Sequence, residues 1–210
     1  MLYDKDIREP LFEFLEEKYG KVRIIEEKRM GRSRADIVMV LSELIVGIEI
    51  KSDADTYARL STQVKDYDTF FDCNIIVAGG SHGRHIAEHV PEYWGIITVD
   101  EVEDDIDFYV YREMTPNPMT DLQRQLGFLW RPELAHIQEI NEMPRYKEKS
   151  KQFVIEKIAG RVPRETLKQQ ISEELFERDY GTIADTINEF RKENNKKPRR
   201  RRKYKKWRNK

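Results

Sequence analysis

Cysteine is nearly absent from this chain. Cys73 is the one thiol in 210 residues, which excludes an intrachain disulfide and a cysteine-rich zinc site and suits a reducing compartment. Long apolar runs are missing too. No stretch approaches the roughly 20 residues that a membrane-spanning helix needs, and the opening MLYDKDIREP lacks the order of a signal peptide. The expected location is therefore the cytoplasm, with no membrane partner. A third absence is local: residues 196–210 contain no acid and eleven Lys or Arg. The formal net charge of −1 hides this, because the other residues carry all 39 acids against 27 bases, a balance of −12. An acidic body and a basic tail call for separate readings.

What is present suits one full domain with room for a smaller one: hydrophobic residues are 39% and charged ones 37%, enough for a real core under a heavily charged surface. Ile7, Leu11, Phe12, Leu15 and Tyr19 have the spacing of an amphipathic helix, with Asp4 as its cap and Gly20 as its stop. Pro10 predicts that the helix starts near Glu9. A strand over Val22–Lys28, a turn at Met30–Ser33 and a hairpin follow. Ser52–Asp55 then reads as the cap of a helix of about sixteen residues, with Leu60, Val64, Tyr67 and Phe71 on its buried stripe. Strands at Cys73–Ala78, Gly95–Val99 and Ile106–Tyr111, with a short helix near Arg84–Val90, complete a β-β-β-α-β-α-β-β order behind a leading helix. The class is α/β or α+β, with one central mixed sheet flanked by helices. Prolines 116 and 118 with Asn117 mark residues 114–120 as a linker. The division is thus 1–113 for the sheet domain, 121–193 for a purely helical region and 194–210 for a disordered basic tail. Helical rhythm covers Asp121–Gln138, Lys151–Ile158, Arg164–Phe176 and Thr182–Arg191; the last two could form a helix-turn-helix pair, more often plain packing than a DNA reader.

The chemistry concentrates in the hairpin Arg34–Lys51. Its two strands are short and almost wholly apolar, as central strands covered on both faces should be, yet Asp36 opens the first and Glu49 and Lys51 close the second. If the loop centres on Ser42-Glu43, Asp36 falls opposite Glu49. Opposed residues share a face with Cβ atoms roughly 5 Å apart. Two carboxylates that close repel unless a cation lies between them, so the pattern asks for a metal. A strand-end surface ion pair is the plain alternative.

Asp36, a thirteen-residue interval, then Glu49-Ile50-Lys51 resembles the D…(D/E)xK core of the PD-(D/E)XK nuclease superfamily, with Ala35 in place of its proline. Gln63-Val64-Lys65-Asp66-Tyr67 is similar to the Q-x-x-x-Y element of RecB-like nucleases. The likeness extends to short bacterial and phage members and covers about the first half of the chain. It implies a restriction-endonuclease-like sheet and a nuclease that uses Mg²⁺ or Mn²⁺ on DNA, with RNA second, in repair, recombination or phage and host nucleic-acid processing; whether it cuts ends or interior stays open. Asp36, Glu49 and the Ile50 carbonyl would be metal ligands, and Lys51 would orient the attacking water or stabilise charge on the phosphate. The resemblance also implies an acid from the leading helix. Glu9 is favoured there over Glu13, Glu16 and Glu17, and Glu26 on the first strand competes. Gln63 and Tyr67, four apart on one helical face, would brace the metal site or touch the substrate.

Two further signals remain. His82, His85 and His89 fall within eight residues and offer a zinc spacing, but no fourth ligand accompanies them; solvated or phosphate-contacting histidines are the better reading. In the tail, Arg199, Arg200, Arg201, Arg202, Lys203, Lys205 and Lys206 interleave with Tyr204 and Trp207, a composition that binds phosphates by counterion release and stacks on unpaired bases. Nucleic acid is the expected partner. A non-cleaving nucleic-acid-binding module and a protein-interaction scaffold are the alternatives, and the sequence leaves the oligomeric state open.

Overall fold

The continuous apolar character of the central strands has a simple cause: both faces of the sheet are covered. The computed structural model describes residues 2–83, 85–103 and 105–178. Within them, six strands run β1 (Arg23–Met30), β2 (Ser33–Val40), β3 (Ile45–Lys51), β4 (Cys73–Gly79), β5 (Gly95–Val102) and β6 (Asp105–Arg112), adjacent in that order. β1–β2–β3 form an antiparallel meander, β3–β4–β5 are parallel, and β6 returns antiparallel. The mixed sheet expected from the sequence is therefore the fold. Every residue of β3 and of β4 is buried.

One face carries α1 (Asp4–Tyr19), whose Ile7, Leu11 and Leu15 pack among Ile37, Ile48, Ile50, Ile75 and Val77. The helix begins at Asp4, not near Glu9, and runs through Pro10. Proline forfeits one helical hydrogen bond there, and the full burial of Ile7, Leu11 and Leu15 offsets that loss by several kcal/mol, at about 1.5–3 kcal/mol per large apolar side chain. The opposite face carries α2 (Leu60–Phe70). It is shorter than expected because residues 52–55 form their own turn, with the Asp55 carboxylate accepting from the Ser52 amide (2.9 Å) and hydroxyl (2.7 Å), rather than capping the helix. A 3-10 turn at Tyr57–Arg59 leads in. After β4 come one helical turn, α3 (Gly80–Gly83), and a 3-10 turn at Ile86–Glu88.

The helical region packs on the α2 face. It comprises α4 (Leu122–Leu126), α5 (Arg131–Ile140), α6 (Lys151–Ala159) and α7 (Arg164–Phe176). The single helix expected over residues 121–138 breaks at 127–130, where Pro132 opens a new helix. Leu126, Phe128, Leu129 and Leu134 share one core with Tyr67, Phe70, Phe71 and Trp94. Residues 114–120 lie against the body: the Asn117 amide donates to the Phe71 carbonyl (2.7 Å) and the Asp68 carbonyl (2.8 Å), and the Thr120 hydroxyl to the Phe71 carbonyl (2.8 Å). The described residues up to Glu177 form one compact unit. The helix expected at 182–191, the second half of the helix-turn-helix reading, and the basic tail with residues 199–207 lie outside the described residues. No helix among the described residues is long and apolar enough to cross a membrane.

Candidate active site

The β2–β3 register places the charged ends where the sequence predicts. Val40 pairs with Ile45, Met39 with Val46, Val38 with Gly47 and Ile37 with Ile48; the next opposed pair is Asp36 and Glu49. The regular ladder stops before that pair. Instead the Asp36 carboxylate accepts the Ile50 amide (2.9 Å), and the Asp36 amide donates to the Tyr67 hydroxyl (3.3 Å).

Tyr67 is fully buried at the centre of this opening. Its hydroxyl lies 2.8 Å from Glu49 Oε2 and 3.0 Å from the Ile48 carbonyl. It has one proton to give, and the charged, nearer carboxylate is the stronger acceptor. Burial first, then the charges of Glu49 and Asp36, push its pKa well above the ordinary tyrosine value, so it stays a donor. Gly47 makes this position possible: a Cβ there would come within 2.2 Å of the Phe71 ring and 2.6 Å of the Tyr67 ring. Only glycine lets α2 approach β3 so closely.

Glu49, 1% exposed, shares its other oxygen, Oε1, between Lys51 Nζ (2.7 Å) and the Gln63 amide nitrogen. Lys51 Nζ also donates to Gln63 Oε1 (3.2 Å). Five of the six residues expected at the site are thus one connected network: Glu49, Lys51, Gln63 and Tyr67 through their side chains, and Asp36 through its backbone amide on Tyr67. Glu9 is not part of it: it is exposed, as are Glu13, Glu16 and Glu17.

What α1 brings to Asp36 is Arg8. Its guanidinium donates to Asp4 (2.8 Å), Glu26 (3.1 Å), Glu27 (2.8 Å) and the Asp36 carbonyl (3.4 Å), with Nη2 3.9 Å from Asp36 Oδ1. Sequence reasoning passed over Arg8, although it lies four residues after Asp4, three before Leu11 and seven before Leu15, on the helix's inward stripe. Glu27 was also missed. It stands opposite Asp36 on the β1 side, where the pairing skips from Glu26–Ile37 to Lys28–Ala35, and its φ is +56°. The Asp36 row is therefore irregular on both sides.

The electrostatics favour a cation. Burial, then the Glu49 charge, push the Asp36 carboxyl up to about 7, against partial relief from the Ile50 amide and Arg8. Asp4, Glu26, Glu27, Asp36 and Glu49 face Arg8, Arg34 and Lys51, five negative charges against three positive ones. The donor set is hard oxygen: Asp36 Oδ1 accepts no hydrogen bond among the described residues, and Glu49 Oε2 accepts one. Two carboxylates plus waters suit Mg²⁺ or Mn²⁺. No group of three His, Cys, Asp or Glu among the described residues converges as a metal cage, so the fit is to a two-carboxylate site.

The histidines are placed otherwise. His82 and His89 flank the Tyr57 ring, at 4.8 and 4.0 Å between centroids, His82 Nε2 lies 3.1 Å from the Asp55 carbonyl, and His85 pairs with Glu88 at 3.3 Å. His82 and His89 thus form an aromatic cluster with Tyr57, and His85 stands apart with Glu88.

The family model described as Bacteriophage P4 protein cII matches residues 1–200. Among solved structures, SfsA of Pyrococcus furiosus in complex with Ca²⁺ is similar over 56% of this chain and 63% of that one, less than two thirds of its length, at 16% identity and a TM-score of 0.34. No curated protein matches the sequence.

Proposed function

We propose that this chain, which belongs to the bacteriophage P4 protein cII family, is a PD-(D/E)XK-type nuclease that hydrolyses phosphodiester bonds with a divalent cation at Asp36 and Glu49. The observation that carries the reading is the pairing of those two carboxylates at the open end of the β2–β3 ladder, with Lys51, Gln63 and Tyr67 all bonded to Glu49. A surface ion pair needs none of this. Burying Glu49 beside a second acid is costly, and such an arrangement is most often kept for chemistry.

In this reading Asp36 and Glu49 hold Mg²⁺ or Mn²⁺, which when bound supplies Lewis acidity at the phosphate and a more acidic water. Tyr67 fixes Glu49 from below and occupies the Asp36 amide, so both carboxylates are aimed before substrate arrives. Lys51 donates from the Glu49 side, where its ammonium can orient the attacking water or offset charge developing on phosphate oxygens. Gln63 bonds to both Lys51 and Glu49 and keeps the two together. DNA is the favoured substrate, with RNA second, and the tail at 199–207 would add sequence-independent affinity.

The test is a panel of labelled single-stranded, duplex and branched DNA and RNA with Mg²⁺, Mn²⁺ or EDTA. Cleavage that EDTA abolishes is the expected result. Binding without cleavage in every metal would reduce the protein to a nucleic-acid-binding module, and neither would leave a scaffold.

A further inference from the structure

We infer that Arg8 is the contribution of α1 to this site: a side chain that contacts the substrate phosphate and is restrained by three acids so that it does not repel the cation. The inference rests on the nuclease reading above and deepens it.

The first argument is a count of donors. A guanidinium has five N–H groups. Nε serves Asp4; Nη1 serves Glu26 and the Asp36 carbonyl; Nη2 serves Glu27. Nη2 lies 3.9 Å from Asp36 Oδ1, too far for a direct hydrogen bond, which leaves its remaining N–H to donate to an oxygen that a cation on Asp36 would hold there. Arg8 keeps 15% of its side chain exposed, and Asp36 18%. A phosphate held by a cation on Asp36 would present such an oxygen, and the planar fork of arginine suits phosphate better than an ammonium does.

The second argument comes from Glu27. Adjacent residues of a strand point to opposite faces, yet Glu26 and Glu27 both reach Arg8. They can do so because Glu27 adopts φ +56°, a left-handed conformation in which a residue with a Cβ is strained. The strain sits beside Asp36 and supplies Arg8 with a third carboxylate. An arginine needed only to pin α1 to β1 would be served by Glu26, since Asp4 lies on α1 itself. Three acids leave the Arg8 cluster net negative, so a divalent cation can enter although a guanidinium lies next to its ligand.

This yields a signature that a purely structural ion cluster cannot give. In Arg8→Gln, the cation loses a repulsive neighbour and the substrate loses a phosphate contact, so the two affinities should move in opposite directions. The expected result is Mn²⁺ or Mg²⁺ binding tighter by on the order of 3- to 10-fold, with kcat/KM reduced by on the order of 100-fold. The slope of log K for a duplex oligonucleotide against log[salt] should fall in magnitude by about 0.9. Arg8→Lys should restore the salt slope but not the rate. Glu27→Gln serves as the second variant should Arg8→Gln fail to fold: it keeps Arg8 and removes a restraint, so cation binding should weaken while the salt slope stays.

Cation and oligonucleotide affinities that fall together, in step with lost stability, would overturn the inference, as would an unchanged salt slope in Arg8→Gln. If the wild-type protein binds the cation and the oligonucleotide but never cleaves, the nuclease reading fails while the opposed shifts still report on Arg8. If wild type binds neither, both fall.

Discussion

Replacing Asp36 by asparagine should make the cation-free protein more stable and abolish its activity. The Asp36 carboxyl is 18% exposed on its side chain, beside Glu49, and is pushed from 3.8 up to about 7. Between those values the native state holds a proton that the unfolded chain has released. Stability from this group is therefore full below about pH 4, is lost as pH rises through 7, and is flat above. At pH 8 the ionised group costs up to ~4 kcal/mol by the linkage relation; relaxation and water entry should leave about half of that. An asparagine at this position would keep an oxygen for the Ile50 amide and carry no charge. In EDTA at pH 8 the expected gain for Asp36→Asn is about 1–2 kcal/mol, or a Tm higher by roughly 2–8 °C. Near pH 4 the advantage should vanish. Adding Mg²⁺ should reverse the order, because a cation that binds only the native wild type stabilises it in proportion to its saturation. Thermal melts of both proteins across pH 4–9, with EDTA and with Mg²⁺, decide it. An asparagine variant no more stable than wild type at pH 8 would refute the repulsion, and an equal Mg²⁺ response in the two proteins would refute the cation.

Lys51→Ala should lower turnover by at least about 100-fold and, by stranding buried Glu49, destabilise by about 3 kcal/mol; the double variant Glu49→Gln with Lys51→Met should regain stability but not cleavage, as melts and a gel assay will show. Gly47→Ala drives a methyl into Tyr67 and Phe71, so a loss of about 1–3 kcal/mol is expected together with reduced cleavage, read by denaturant unfolding and the same assay. Removing residues 194–210 should weaken oligonucleotide binding uniformly across sequences and flatten its salt dependence, measured by anisotropy; an unchanged slope would remove the tail from the interface.

The sequence carried the sheet because local and global signals agreed. Strand runs were apolar and short, turns had their own chemistry, and the Ser42-Glu43 turn alone dictated that Asp36 oppose Glu49, which the observed register reproduces. Gln63 and Tyr67 were reachable through the resemblance to the Q-x-x-x-Y element, whose spacing puts both on one helical face. What could not be read was set by tertiary context. Pro10 said the helix should begin late, and buried Ile7, Leu11 and Leu15 overrode it. The acid sought on α1 was placed at Glu9 by the family resemblance, but the inward stripe of that helix passes through Asp4 and Arg8 and leaves Glu9 in solvent. Glu27 gave no signal, since a left-handed residue in a strand follows from what it must reach. The break at residues 127–130 was visible as Gly127 and Pro132, yet the run of leucines around it favoured one helix.

The aromatic packing beneath Glu49 also governs how this gene can be cut or recombined. Tyr67 meets Phe71 and Trp94, and Phe70 and Phe71 both stack on Phe128 beyond the 114–120 stretch. The sheet half thus borrows its floor from the half that follows it. A fragment ending at residue 113 would expose that floor and lose the Asn117 and Thr120 contacts to the Phe71 carbonyl. Sheet and helices are inherited together, and a transplant of this site onto another chain must carry residues through at least α4 to bring its own foundation with it.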